Sequence, residues 1–321
     1  MNILGIIASS KPGVEPESIA VSSNSSPYVL VYPWTNATGF GTKYADPATL
    51  PTGQGNRVTV NAAKNAIAVA HNVSPRISVY PWNSGFGTKF TNPGTVPTGN
   101  GTETTFTPSD DAIAVTHEVT PYISAYPWSN STGFGTKYAN PATLTPAYNL
   151  GCAFNPAGDV IAVNQSNVVS IGAYAWSAGF GTKYANPGVN PGGNWSYQTS
   201  WSPSGNDLVI GSRGTPYLSG YPWSAGFGTK YADPATLPPN QGVGVSFNRA
   251  GDIVACAHDS SPFISVYPWS SGFGSKFANP ATLPSGDGRG VSFNATDSAL
   301  AFASAVSPFI NAYTWNNSTG F

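Results

Sequence analysis

Short apolar runs alternate with polar turns along the whole chain. Residues 243–280 contain four such runs, each of four to seven residues, with β-branched or aromatic members. The gaps carry Gly, Pro, Asn or Asp, which favour turns. No stretch keeps the period of an α-helix over three turns. The pattern therefore predicts four β-strands per unit, here Val243 to Phe247, Ile253 to Ala257, Phe263 to Trp269 and Ser275 to Ala278.

This unit recurs seven times. A Tyr-X-Trp signature marks each copy, and successive signature tryptophans are 46 to 48 residues apart. A Gly-Phe pair follows each signature and continues, in six copies, as Gly-Thr/Ser-Lys-aromatic-Ala/Thr-Asn/Asp-Pro. The signature residues are Trp34, Trp82, Trp128, Trp176, Trp223, Trp269 and Trp315.

Seven repeats of four antiparallel strands are typical of a β-propeller. A single twisted sheet cannot bury both faces, whereas sheets arranged radially cover one another, and ring closure removes the free ends. The sequence predicts one domain over residues 1–321: an all-β, seven-bladed β-propeller of four-stranded antiparallel blades, with one repeat of about 47 residues per blade. An open solenoid is the alternative, but the chain lacks polar terminal caps.

Residues 1–12 do not follow the repeat, and the seventh copy stops at Gly320-Phe321, before its fourth strand. The apolar run 3–8 can be the inner strand of blade one, which we favour because a missing inner strand would open the central channel. It can instead cross over as the outer strand of blade seven and close the ring. In the first case, blade seven keeps an open edge for a strand from a neighbouring subunit.

We therefore treat residues 1–12 as an atypical strand and a candidate attachment segment. Deleting residues 2–10 is expected to abolish assembly but not folding. The run is too short, and lacks a preceding basic residue, for a cleaved signal peptide. The apolar residues of the candidate attachment segment are Ile3, Leu4, Ile6 and Ile7.

Charge is scarce, which narrows the choice of partners. Charged residues make up 8 % of the chain and the net charge is −1, whereas about a quarter of a typical soluble domain is charged. This composition removes the electrostatic case for nucleic acid or an anionic membrane. No apolar stretch approaches the roughly 20 residues of a membrane-spanning helix. A surface with little charge repulsion favours a place within an assembly.

Most recurring side chains are explained by packing. The aromatic positions predict a core between blades, and sugar-stacking platforms are the rival interpretation. A recurring lysine is expected to protect an outer strand from edge-to-edge pairing, although a ring of six could also bind anions or a partner's carboxylates. These lysines are Lys43, Lys89, Lys137, Lys183, Lys230 and Lys276.

The histidines, cysteines and other potentially catalytic residues do not indicate an active site. His71, His117 and His258 occupy the same repeat position, so we expect them in three separate blades, too far apart to share a metal. Cys152 and Cys256 are expected to be buried and unpaired. No single asymmetric group of nucleophile, base and acid stands out. We therefore expect no cofactor, no metal site and no enzyme activity.

The pattern from Asn155 to Trp176 resembles a WD-repeat propeller, although it lacks Asp after Trp and a fixed Gly-His pair. The repeat at 221–238 resembles those of propeller proteins in tailed bacteriophages, and residues 3–11 are similar to the opening of several phage virion proteins. The resemblance implies a structural role in the phage particle, as a capsid-decorating, tail or appendage propeller. Its partners would be other virion proteins or copies of itself.

The alternative function is a carbohydrate-binding propeller, a lectin-like adhesin that recognises a glycan on the host surface. An enzyme is the third and least favoured function. Loops joining fourth to first strands, such as 48–56 and 281–290, are expected to share a face with the turns between second and third strands. Because these loops vary most between repeats, we expect partner recognition there.

Overall fold

The computed structural model describes residues 3–9, 17–166 and 170–321. Its β-strands fall into seven antiparallel sheets, each formed by consecutive strands. We number the sheets as blades in chain order. Blade one contains β1 (Ile3–Ser9), β2 (Glu17–Ser23), β3 (Val29–Thr35) and β4 (Gly39–Phe40). Blade two contains β5 (Gly55–Val60), β6 (Ala66–His71) and β7 (Ile77–Pro81), and blade three contains β8 (Gly101–Phe106), β9 (Ala112–His117), β10 (Ile123–Ser129) and β11 (Gly133–Phe134).

The remaining four sheets follow the same plan. Blade four contains β12 (Asn149–Phe154), β13 (Val160–Gln165), β14 (Ile171–Trp176) and β15 (Phe180–Lys183). Blade five contains β16 (Ser196–Trp201), β17 (Asp207–Ser212) and β18 (Leu218–Pro222), and blade six contains β19 (Gly242–Phe247), β20 (Ile253–His258) and β21 (Ile264–Pro268). Blade seven contains β22 (Gly288–Phe293), β23 (Ala299–Ser304) and β24 (Ile310–Thr314).

The arrangement fits a seven-bladed propeller. The blades are separate sheets and not one closed sheet. Their first strands meet at the centre, where β1 contacts β5 on one side and β22 on the other, and each later first strand contacts the next. The predicted all-β architecture with seven repeated sheets is therefore supported.

The prediction of four strands is wrong for blades two, five and six, whereas blade seven lacks a fourth strand in the described residues, as expected from the sequence. Blades one, three and four have four strands, and the other blades have three within the described residues. In those blades the outer pairing shrinks to one bridge, such as Trp269 with Phe273. The segment expected to form the fourth strand of blade six still lies beside β21. A hydrogen bond from Phe277 N–H to Val266 O joins the two.

Proline explains the short outer strand. Trp176 N–H donates to Asp159 O, towards the second strand of its blade, so the preceding residue directs its N–H towards the outer segment. In five blades that residue is Pro, which has no N–H to give. Blade four has Ala175 instead, and its β15 is four residues long, against two for β4 and β11.

The N-terminal run forms the inner strand of blade one. β1 pairs antiparallel with β2, from Ile3 opposite Ser23 to Ser9 opposite Ser18. This placement agrees with the first of the two alternatives. Residues 1, 2 and 10–16 lie outside the described residues, and so does part of the candidate attachment segment. The attachment role stays a prediction.

Aromatic side chains fill the seams between blades. The signature tryptophans are 5–8 % exposed. Trp269, for example, makes edge-to-face contacts with Phe273 of its own hairpin, with Phe247 of β19 and with Tyr231 of the preceding blade, at centroid distances of 4.9, 5.3 and 5.3 Å. Such pairs add about 0.5–1.5 kcal/mol each beyond area burial. The interpretation of the aromatic repeat as inter-blade packing is thus confirmed.

The turns between first and second strands join neighbouring blades in two ways. Asp297 of blade seven accepts the N–H groups of Arg249 and Ala250 of blade six at 2.8 and 2.9 Å. Asp110 of blade three binds the backbone N–H groups of residues 62 and 63 in the same way. Three other seams, in the part of the chain that the structure describes, have no such hydrogen bonds. There, a Pro stands at the position equivalent to Arg249, and a Gly stands at the position equivalent to Asp297. These proline–glycine contacts are Pro108 with Gly158, Pro156 with Gly205 and Pro203 with Gly251.

Candidate functional site on the loop face

Because the strands of a blade alternate in direction, the propeller has two faces. The face that carries the turns from first to second strands and from third to fourth strands is called the turn face. We call the loop face the opposite one, with the turns from second to third strands and the segments that lead to the next blade. Thr98 of one such segment donates its hydroxyl to Thr120 O, and Ser285 donates to Val306 O. These contacts confirm that the two sets of loops share a face.

The large apolar side chains that are exposed, among the residues the structure describes, all lie on the loop face. They are 36–59 % exposed. Single exposed apolar residues are ordinary, but these recur on one face, in the loops of several blades. We call this set the apolar ring: Val73, Val119 and Val306 in the turns, and Val96, Leu144, Val189 and Leu283 in the connecting segments.

Three aromatic residues gather on the same face where the inner strands of blades four and five begin. Tyr148 and Trp195 precede β12 and β16, and Tyr197 lies in β16; all three are half-buried. The ring of Trp195 lies 6.0 Å from that of Tyr148 and 6.4 Å from that of Tyr197. The Arg213 guanidinium sits 4.9 Å from the centroid of Trp195, within cation–π range.

This cluster was not predicted from the sequence, because Trp195 and Tyr148 do not recur in every repeat. The equivalent positions in other blades hold polar residues, Gln54 and Asn100 among them. A search for departures from the repeat, and not for the repeat itself, would have found it.

Below this cluster, three polar side chains extend from the inner strands. The third residue of these strands is Gly in blades one, four, six and seven, but Arg57, Glu103 and Gln198 in blades two, three and five. Arg57 spans the centre and donates to Arg289 O at 2.8 Å and to Val243 O at 3.3 Å. Gln198 Oε1 accepts the Val245 N–H.

The three side chains line a cavity of about 150 Å³. Burial raises the pKa of Glu103 to about 7, against the opposing effect of Arg57. A Cβ on Gly151 would lie 2.6 Å from Glu103 Oε2, so glycine there leaves room for the carboxyl. This is an asymmetric polar group of the kind that the sequence analysis did not find, because its members are far apart in the chain.

The histidines end the second strands of blades two, three and six and are fully buried. Each Nε2 lies 3.0–3.1 Å from a serine hydroxyl in the third strand of its blade. Burial lowers the pKa of each histidine to about 4. No group of three or more His, Cys, Asp or Glu in the described residues could hold a metal ion.

The recurring lysines are held locally. Each Lys amine donates to a side-chain oxygen of the Asn or Asp three residues later. The two proposed roles, edge protection and anion binding, both stay predictions. Cys152 and Cys256 are buried and free, as expected. In the described part of the chain, no helix is long and apolar enough to cross a membrane.

Comparison with known proteins bears on the fold. No protein-family model matches the chain, and no curated protein matches its sequence. Among solved structures, the fold is similar to that of a "putative 6-phosphogluconolactonase" from Bacteroides uniformis, with a TM-score of 0.69 and 12 % identity over 95 % of this chain and 93 % of the other. The likeness supports a propeller-type fold and shows no link to phages.

The same likeness contradicts the prediction that the chain is not an enzyme. A similar fold occurs in a protein that carries the name of an enzyme, so a repetitive propeller sequence is not grounds for excluding catalysis. At 12 % identity the likeness shows the fold alone, and propeller folds serve many functions.

Proposed function

We propose that the protein is a component of a phage particle that binds a neighbouring protein of that particle through its loop face. The observation that carries this proposal is the apolar ring, seven exposed valines and leucines on a single face. An apolar surface with few charges is suited to lasting contact with another protein, because desolvating it costs little.

The aromatic cluster at the centre of the loop face adds to this argument. Trp, Tyr and Arg are the residues that most often dominate binding energy at interfaces. Trp195, Tyr197 and Arg213 are held in place by contacts with one another and with Gln241, which accepts the Tyr197 hydroxyl at 2.7 Å. A preorganised cluster loses little side-chain entropy on binding. The phage setting itself rests on the sequence resemblance.

The test is site-specific photo-crosslinking in purified particles. A photoreactive amino acid replaces Val119 on the loop face or, as the matched control, Ser109 on the turn face of the same blade. Both residues are exposed. We expect crosslinks from position 119 to one other particle protein and none from position 109.

Particles that lack the protein would refute the virion role, and crosslinks from position 109 alone would refute the choice of face. With the crosslinked partner in hand, Val119→Asp should weaken binding about tenfold or more, because it buries a charge in an apolar contact. Ser109→Asp should leave binding unchanged.

A further inference from the structure

Two equivalent cavities open on the turn face, far from the apolar ring. One lies between blades three and four, the other between blades five and six, with volumes of about 440 and 350 Å³. Both fall within the range of small-molecule pockets, about 300–1,000 Å³. None of their lining residues is charged. The first is lined by Tyr138, Trp176, Ser177 and Phe180, and the second by Tyr231, Ser270, Ser271 and Phe273.

The hairpin between third and fourth strands is short in the later blade of both cavities. In blades one, three and seven, four residues separate the signature Trp from the Gly-Phe pair; in the others, two do. The long hairpin closes onto the preceding blade: a Cβ on Gly133 would lie 3.2 Å from the Phe90 ring. In the short hairpins at the cavities, a Cβ on Gly179 or Gly272 would lie 3.7 or 4.0 Å from the facing tyrosine.

In blade six, the short hairpin also changes the hydrogen bonding of the signature Trp. In the long hairpins, an Asn two residues after Trp accepts the indole N–H at 2.8–3.3 Å, as Asn130 does for Trp128. In blade six, two residues after Trp269 stands Ser271, and the buried Trp269 Nε1 has no hydrogen-bond partner in the structure. Trp269 does not line the second cavity, so the polar side chains that a ligand there can reach are those of Ser270 and Ser271.

We propose that these two cavities bind neutral saccharides. Their walls combine aromatic rings, which pack against the C–H face of a sugar, with serine hydroxyls, which suit sugar hydroxyls. The uncharged lining disfavours acidic sugars. The site gives the carbohydrate-binding alternative a location, and it does not depend on the proposed loop-face contact.

The protein supplies its own matched variants. Replacing the residues 270–271 by Ser-Asn-Ser-Thr, which stands at 129–132, grafts the long hairpin of blade three onto blade six and fills the second cavity. The same graft at 177–178 fills the first. Replacing 129–132 by Ser-Ser performs the reverse change and should open a cavity against Phe90.

Binding is measured by ligand-observed NMR with glucose, galactose, mannose and N-acetylglucosamine at concentrations up to about 10 mM, since single-site affinities near 1 mM are expected for so few contacts. We expect at least one of these sugars to bind. The double graft should weaken binding about tenfold or more, and the shortened blade three should add a site.

Three outcomes would overturn the proposal: no binding of any of the four sugars, binding that the double graft leaves unchanged, or competition for the cavities by an uncharged peptide but not by sugar. Thermal unfolding of each graft shows that the blade is intact. Failure here leaves the crosslinking test of the loop face unaffected, because the two sites lie on opposite faces.

Discussion

The seam between blades six and seven offers a quantitative test of how the blades are joined. The perturbation is Asp297→Gly, which removes the acceptor of the Arg249 and Ala250 N–H groups. Hydrogen bonds to a charged group contribute about 1.5–3 kcal/mol each when buried. Asp297 is half-buried and both amides are exposed to water, so we take about 2 kcal/mol for the pair.

Part of this loss is offset by the backbone. Asp297 has φ 54°, a conformation that glycine adopts more readily. With roughly 1 kcal/mol regained, the net destabilisation should be about 1 kcal/mol, which lowers the melting temperature by about 2 °C in a chain of this size.

The second half of the test converts this seam into the proline–glycine type found at three other seams. Arg249→Pro reproduces the turn of blade four, where Asn155-Pro156-Ala157-Gly158-Asp159 differs from residues 248–252 only at the proline. Alone it should cost about 1 kcal/mol, because it removes one N–H from Asp297. Combined with Asp297→Gly it should be nearly neutral, since proline then faces glycine as at the other seams.

The assay is urea unfolding followed by tryptophan fluorescence for all four proteins in the double-mutant cycle. The expected coupling energy is about 1.5–2 kcal/mol, favouring the double variant. Additive effects, within about 0.5 kcal/mol, would refute the idea that Asp and non-proline residues are matched across the seam.

Two further changes test the strands themselves. Because the histidine pKa is about 4 in the folded protein and about 6.5 in the unfolded chain, the unfolded chain binds more protons between these values. The histidine contribution to stability should therefore fall as pH falls from about 6.5 to 4, by up to roughly 3 kcal/mol per histidine, while Glu103, with its raised pKa, acts in the opposite direction. In urea unfolding, the stability of the protein relative to a triple His→Gln variant should fall over this range. Pro268→Ala should lengthen the outer pairing of blade six towards that of β15, seen as slower amide exchange at residues 274–277, with Ala175→Pro as the reverse control.

The repeated part of the fold could be predicted because its causes are local. Strand patterning, turn residues and the spacing of the signature tryptophans all lie within one repeat, so seven sheets and an aromatic core between them followed from the sequence. The short outer strands did not follow, because the effect of Pro268 depends on which way its missing N–H would point, and only the register of β20 and β21 shows that.

The non-repeated part of the fold was harder to predict. Three residues from different blades, Arg57, Glu103 and Gln198, come together only because the inner strands surround a common centre. A comparison of repeats looks for shared residues and therefore does not detect residues that occur in one repeat only. The same reason hid Trp195. The prediction of no enzyme activity rested on the recurrence of every notable Ser and Asp as a turn residue, and it is contradicted by the likeness in fold to a protein named as an enzyme.

The Arg57 side chain also has a consequence for the order in which the ring forms. Its two carbonyl acceptors are 186 and 232 residues further along the chain. They are therefore made long after Arg57 leaves the ribosome, at a synthesis rate of about 5–20 residues per second. Val243 lies in β19 of blade six and Arg289 in β22 of blade seven, so Arg57 can make both bonds only when these two blades are in place. Arg57 thus ties an early strand of the chain to both of its last blades across the centre of the ring.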